Sequence, residues 1–306
     1  MKAIIVKNLK KYYGAVKAVD DISFDVNQGE VVALLGPNGA GKTTTIEILE
    51  GLRKKDSGEI YYFDRKVDHI DKEIKKRIGV QLQKTAFFEY LTVQETVELF
   101  AGLYDMKVDK KTLKNLVELV SLGEKAKSRV KNLSGGQLQR LALITALVNE
   151  PEIIFLDEPT TGLDPQARRY VWQIIETLKK QGKTILLTTH YMEEAERLAD
   201  RVLIMDHGKI IASGTVWQLV ESLNMDSYIE FTVDDAEKIA ELRKEIDGME
   251  ILEEQRAALA TNDVEETIQV LLNRVKQMGF QIDNITIRRP NLEDVFLHLT
   301  GRYLRD

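Results

Sequence analysis

The sequence predicts an α/β fold built around a parallel sheet, with a smaller α+β domain following it. Three observations carry that expectation. The apolar run Val31–Leu35 leads into a glycine-rich turn and then a helical pattern over Thr43–Leu52, the order that opens a parallel α/β unit. Two more short apolar runs, Ile153–Leu156 and Thr184–Thr189, lack polar alternation, as strands buried on both faces do. Beyond about Ser222–Asp226 the pattern changes to one of short strands and amphipathic helices.

Taken in order, Ala3–Val6, Ile22–Val26 and Glu30–Leu35 read as strands. Thr92-Val93-Gln94-Glu95 has capping-box spacing, and Val93, Val97 and Phe100 follow at helical intervals. The chain is therefore predicted helical from Thr92 to about Val148. Asp164-Pro165 reads as a helix start, with the aspartate as cap and proline at the first helical position. The last part gives strand Tyr228–Val233, helix Ala236–Ile246, short strands Glu250–Glu253 and Ala257–Ala260, helix Val264–Met278 and strand Gln281–Ile287. That order, β-α-β-β-α-β, suggests a ferredoxin-like domain. An amphipathic segment, Leu292–Leu299, closes it. The expected domains are residues 1–222, with a helical part at about 84–150, and residues 227–306.

Composition narrows the function classes. The net charge of −6 offers no bulk attraction to nucleic acid. The absence of cysteine excludes disulfides and thiolate metal sites and fits a reducing cytoplasm. Lys2, Lys7, Lys10 and Lys11 break up the N-terminal segment, so no signal peptide is expected. No apolar stretch approaches the roughly 20 residues of a membrane helix. A role at a membrane would be exerted from outside the bilayer.

Gly36-Pro37-Asn38-Gly39-Ala40-Gly41-Lys42-Thr43 satisfies G-x-x-x-x-G-K-[ST]. Its glycines let backbone N–H groups curl around a phosphate chain, and the following helix aims its positive end there. Lys42 would reach the β- and γ-phosphates, and the Thr43 hydroxyl would ligate Mg²⁺. Ile153-Ile154-Phe155-Leu156-Asp157-Glu158 is an apolar strand ending in two carboxylates. Asp157 suits a Mg²⁺ site, and Glu158 could polarise the water that attacks the γ-phosphate. Leu133-Ser134-Gly135-Gly136-Gln137 is a second capped helix start suited to an anion. One triphosphate already has its cradle, which leaves open what the second one holds.

Together these strings resemble the ATP-binding cassette of ABC transporters, over about residues 1–220, and Leu133–Gln137 matches that family's signature letter for letter. The resemblance implies a P-loop NTPase cassette with a mixed β-sheet core and an inserted helical subdomain, using ATP and Mg²⁺. It implies pairing with a second cassette, head to tail, so that Ser134, Gly135, Gly136 and Gln137 hold the partner's nucleotide. ATP contacts are expected from Gly36 through Thr44, with Tyr13 stacking on adenine and Tyr12 as its rival. Gln83 resembles the Q-loop glutamine that contacts Mg²⁺ and the attacking water; Gln81 lies close by, and Leu82 stands where the family often has proline. Thr161-Gly162-Leu163-Asp164 resembles the D-loop, and His190 the switch histidine at the γ-phosphate. The family's catalytic set therefore falls on Glu158, His190, Gln83 and Lys42.

The resemblance further implies a separate membrane permease, with this chain peripheral on the inner face of the cell membrane. Phe87-Phe88-Glu89-Tyr90 either packs inside the helical subdomain or forms part of a groove for that permease. Leu292-Glu293-Asp294-Val295-Phe296-Leu297 is similar to the ending found in the multidrug, antibiotic and sodium exporter branch. Two other readings compete: a soluble ABC ATPase acting on ribosomes or nucleic acid, and another P-loop enzyme. The single cassette and acidic charge weigh against the first, and the absence of an N-K-x-D string argues against a GTPase.

Overall fold

Val31–Leu35, Ile153–Asp157 and Thr184–Thr189 form strands in which every residue is buried, as a sheet covered on both faces requires. In the computed structural model they lie in a six-stranded sheet, ordered Lys209–Gly214, Arg201–Asp206, Val31–Leu35, Thr184–Thr189, Ile153–Asp157, Ile78–Gln81. The described residues are all except Lys84, Thr85, Asp234, Asp235, Asp247, Glu254, Phe280 and 302–306. The neighbours pair in parallel, save that Lys209–Gly214 runs antiparallel to Arg201–Asp206. Leu35 stands opposite Thr189, Asp157 opposite Thr188 and Gln81 opposite Leu156. Four strands thus end together at one edge, each just before a residue that matters below.

A second sheet, antiparallel, is ordered Val16–Asn27, Lys2–Tyr13, Ser57–Tyr62, Arg65–Lys66. One apolar cluster joins both sheets to the helix Lys42–Leu49, with Ile4, Leu34, Ile46, Leu49, Tyr62 and Phe155 among its members. The strands foreseen as Ala3–Val6 and Ile22–Val26 extend to twelve residues each, because their polar positions pair as a hairpin that apolar patterning alone does not mark. Ser57–Tyr62, Ile78–Gln81, Arg201–Asp206 and Lys209–Gly214 were not expected as strands. They are short and depend on their neighbours in the sheets.

The helical stretch beginning at Thr92 is broken rather than continuous. Helices Val93–Gly102, Lys110–Leu119 and Gly135–Thr145 are separated by turns that include Asp105 and Ser121 at positive φ. Thr92 makes both halves of its capping box with Glu95. Asp164 caps Pro165–Lys180, accepting from Gln166 N and Ala167 N. Among the described residues no helix is long and apolar enough to cross a membrane.

The chain divides into two compact units, Trp217–His298 being the smaller. That unit holds an antiparallel sheet ordered Met249–Glu253, Arg256–Thr261, Ser227–Val233, Ile282–Arg288, with helices Ala236–Glu245 and Val264–Met278 between strands. This is the ferredoxin-like β-α-β-β-α-β order. Its core combines Ile229, Phe231 and Leu259 from the sheet with Ile239, Leu242 and Leu271 from the helices.

Glu50, which ends the helix Lys42–Leu49, is buried, and neither carboxylate oxygen has a hydrogen-bond partner. Burial, then the charges of Asp157 and Glu47, pushes its carboxyl up to about 9. The native chain therefore keeps a proton that the unfolded chain releases above about pH 4.3, so this group lowers stability as pH rises toward about 9. Glu50→Gln is expected to gain stability over the parent as pH rises from about 5 to about 8.5, by up to about 1.4 kcal/mol per pH unit, and to melt at a correspondingly higher temperature. An offset that stays constant across that range in thermal melts would contradict it.

Candidate active site

The turn after Val31–Leu35 follows a path that side chains would block. A Cβ on Gly36 would collide with the Met205 carbonyl oxygen, and one on Gly41 with that of Ala18. Gly41 also has a φ of +105°, where glycine is favoured. Gly41 offers no side-chain cap to the helix Lys42–Leu49, so the first N–H groups of that helix remain for a ligand. The loop opens on a cavity of about 710 Å³, whose walls include Tyr13, Lys17, Gly41, Lys42, Thr43 and Glu158.

The two carboxylates meet this loop from the end of Ile153–Asp157. Asp157 Oδ1 accepts from Thr188 Oγ1 and, at 3.3 Å, from Thr43 Oγ1. Burial raises its carboxyl pKa, while the two hydroxyls pull the other way. Glu158 sits at φ +47°, a strained position for a side chain of this size. Its N–H is held by the Thr188 carbonyl oxygen at 3.2 Å and hydroxyl at 3.0 Å.

The Glu158 carboxylate is the electrostatic centre of the site. Gln83 Nε2 donates to it at 2.9 Å and Thr161 Oγ1 at 3.1 Å. Lys42 Nζ stands 3.5 Å away, and His190 Nδ1 makes an oblique contact at 3.4 Å. The imidazole of His190, then the charge of Lys42 and the amide of Gln83, hold the carboxyl down to about 2 against the opposing effect of burial. Lys42 Nζ also donates to Gly36 O at 2.8 Å and Pro37 O at 3.0 Å. Burial lowers its pKa and Glu158 counters that.

The predicted residues fall into two groups. Tyr13, Asn38, Gly39, Gly41, Lys42, Thr43, Thr44, Gln83 and Glu158 line the cavity. Gly36 and Pro37 are not in the lining and instead hold Lys42 with their carbonyls, whereas Ala40 is buried, with its N–H on Pro37 O and its carbonyl on Gly208 N. Asp157 and His190 stand behind the lining, in contact with Thr43 and Glu158. Ser134, Gly135, Gly136, Gln137 and Asp164 are not part of it. Ser134 and Gln137 instead cap each other in a capping box, and Gly135 faces open space.

Geometry also separates the paired candidates. Tyr12 donates its hydroxyl to Asp20 at 2.6 Å and is absent from the lining, while Tyr13 borders the cavity. Gln81 is buried in its strand; Gln83 reaches Glu158. Lys17 and His207 also border the cavity, and neither carried a sequence signal. They arrive from hairpin turns whose place is fixed only by sheet pairing. Thr188 was read as a buried strand residue, and nothing in the apolar run announced its hydroxyl as the link between Asp157 and Glu158.

A glycine-walled loop, a buried lysine beneath it and paired carboxylates at the edge of a parallel sheet define a P-loop nucleotide-binding protein. A family profile described as ABC transporter matches residues 19–161. The chain is 35% identical over 307 residues to the linearmycin resistance ATP-binding protein LnrL of Bacillus subtilis (strain 168), covering 98% of this chain and 99% of that one. It is 40% identical over 308 residues to the Nod factor export ATP-binding protein I of Paraburkholderia xenovorans (strain LB400), covering 99% of each. A solved dimeric, post-hydrolysis state of the ATP-binding cassette MJ0796 with ADP and Pi superposes with a TM-score of 0.62 at 28% identity, over 69% of this chain and 98% of that one. The chain belongs to the ABC transporter family, as an ATP-binding subunit.

A ring at the mouth of a phosphate cavity can stack on a nucleobase, an interaction worth about 1–3 kcal/mol. Tyr13→Ala is expected to weaken ATP binding about tenfold in a fluorescent-nucleotide titration, while Tyr12→Ala, which removes the rival ring, leaves it within about twofold. The reverse ranking would transfer the stacking role to Tyr12.

Proposed function

We propose that this chain hydrolyses ATP in a head-to-tail cassette dimer and thereby powers export by a separate membrane permease. The observation that carries the reading is the division of the site. The phosphate loop and Glu158 border one cavity, while the capped helix start Ser134–Gln137 lies outside it, with Ser134 and Gly135 exposed. One chain thus offers two half-sites, and a second cassette would complete each. The dimeric MJ0796 cassette bound to ADP and Pi supports both the pairing and the hydrolysis. Export is supported by relatives matched over nearly their whole length, whose names include Nod factor export.

The chain's own groups suggest the sequence of events. Lys42, now held by two loop carbonyls and Glu158, would turn its ammonium to the phosphates. Glu158 would lose part of the charge that depresses it and become the better acceptor for a proton from the attacking water. Gln83 and His190, already within reach of Glu158, would orient that water and contact the terminal phosphate. The Thr43 hydroxyl and Asp157 carboxylate fit Mg²⁺, which would supply charge neutralisation at the phosphates. Among the described residues no cluster of three or more His, Cys, Asp or Glu could hold a metal, so these two and the Gln83 amide oxygen would act together with phosphate oxygens and water.

Glu158→Gln is expected to bind ATP, to hydrolyse it at least about a hundredfold more slowly, and to accumulate as a dimer in size-exclusion chromatography. Unchanged turnover would remove Glu158 from the proton-accepting role.

Beside the site, the aromatic cluster divides. Phe87 packs edge-on against Phe100 at 5.8 Å, whereas Phe88 and Tyr90 are 69% and 70% exposed. Exposed rings of this size favour a partner surface. Phe88→Ala is expected to lower permease-stimulated ATPase activity and complex recovery while leaving basal ATPase intact. Full stimulation and assembly in that variant would exclude Phe88 from the permease contact.

A further inference from the structure

Glu194 lies in the helix Met192–Leu198, directly after His190, and it is fully buried. A buried carboxylate costs stability unless its surroundings hold it. Its Oε1 accepts from Thr160 Oγ1 at 2.7 Å and from Trp172 Nε1 at 2.9 Å. Both donors belong to the segment that follows Glu158. Thr160 is itself fully buried and is the base of the Thr161–Asp164 turn, since its carbonyl accepts from Leu163 N at 3.2 Å. Trp172 is buried in the helix Pro165–Lys180 that Asp164 caps.

A second bridge runs between the same two segments. Arg168, one turn into that helix, places its guanidinium 4.2 Å from the centre of the Tyr191 ring, a cation–π distance. The Tyr191 ring in turn lies 4.1 Å from that of His190. On the other side, Tyr191 N donates to Thr189 Oγ1 at 2.9 Å. Burial raises the Glu194 carboxyl pKa; the hydroxyls of Thr189 and Thr160, the indole of Trp172 and the charge of Arg168 act against that. The groups that steady this carboxylate come from the Thr189–His190 strand end and the Thr160–Trp172 segment, while its Oε2 has no hydrogen-bond partner among the described residues.

We infer that Glu194 is a positioning residue that ties the His190 segment to the Thr161–Asp164 turn, so that the phosphate state sensed at one nucleotide is passed to the turn. The tie has no reach to the phosphates itself, and it acts through the Thr160 hydroxyl. Its mechanical core is a single oxygen holding two donors from the far segment. The inference rests on the hydrolytic, dimeric reading only for its consequence. The tie itself exists in the free chain.

The test therefore has two arms. In the free chain, hydrogen exchange of the peptide spanning residues 159–164 reads the tie directly. Glu194→Ala and Thr160→Val are expected to speed exchange there by about tenfold or more. Glu194→Gln, whose amide oxygen can still accept both bonds, is expected to restore parental protection, and Trp172→Phe is expected to lower the melting temperature without exposing the turn. In the complex with its permease, Glu194→Ala is expected to cut kcat about tenfold, keep KM within about twofold, and bring the Hill coefficient for ATP toward about 1. Glu194→Gln should recover cooperativity. Parental exchange in both Glu194→Ala and Thr160→Val overturns the tie. Raised exchange with unchanged cooperativity also overturns the inference, since the tie then transmits nothing. A parental complex without ATPase activity instead defeats the hydrolytic reading, and the exchange arm still decides the tie.

Discussion

The parallel register of the central sheet is the constraint on which the rest depends. Val31–Leu35, Thr184–Thr189 and Ile153–Asp157 are hydrogen-bonded so that they end within one residue of one another, Leu35 opposite Thr189 and Asp157 opposite Thr188. Gly36, His190 and Glu158 therefore leave the sheet at one edge, and Gln83 follows from the neighbouring strand. Ligands bind at the carboxyl ends of parallel strands because the loops there converge and helix N-termini point inward. The burial of all sixteen residues in those three strands holds that register against slippage.

On this frame the site is assembled from charges that restrain one another. Lys42 has two carbonyls and a carboxylate as neighbours, and Glu158 has an ammonium, an amide, a hydroxyl and an imidazole. Such an arrangement stabilises the resting state and keeps the carboxylate a poor base. It also makes the site responsive, since any ligand that competes for Lys42 changes the basicity of Glu158.

The second theme is incompleteness. Ser134–Gln137 forms a finished helix cap with an unobstructed glycine, yet it lies outside the chain's own cavity. The Glu194–Thr160 contact lies on the side of Glu158 that leads to the Thr161–Asp164 turn. Both features make sense for a protein whose chemistry depends on a second surface. The small unit Trp217–His298 adds a self-contained core.

The sequence by itself determined the parts that depend on local order along the chain. The glycine spacing of Gly36–Thr43, the Asp157–Glu158 pair, the Ser134–Gln137 cap and the β-α-β-β-α-β order were all legible there. Each arises from residues within a few positions of one another, where backbone freedom, capping and periodicity act directly. The tertiary structure alone placed Tyr13 rather than Tyr12 in the cavity lining, Gln83 rather than Gln81 beside Glu158, and Phe88 rather than Phe87 as the exposed ring. It alone revealed Thr188 beneath the carboxylates and Glu194 behind the turn. Those outcomes depend on which face of a strand turns inward and on hydrogen bonds between residues 30 or more positions apart, and local sequence carries no record of such pairings until the sheet has formed.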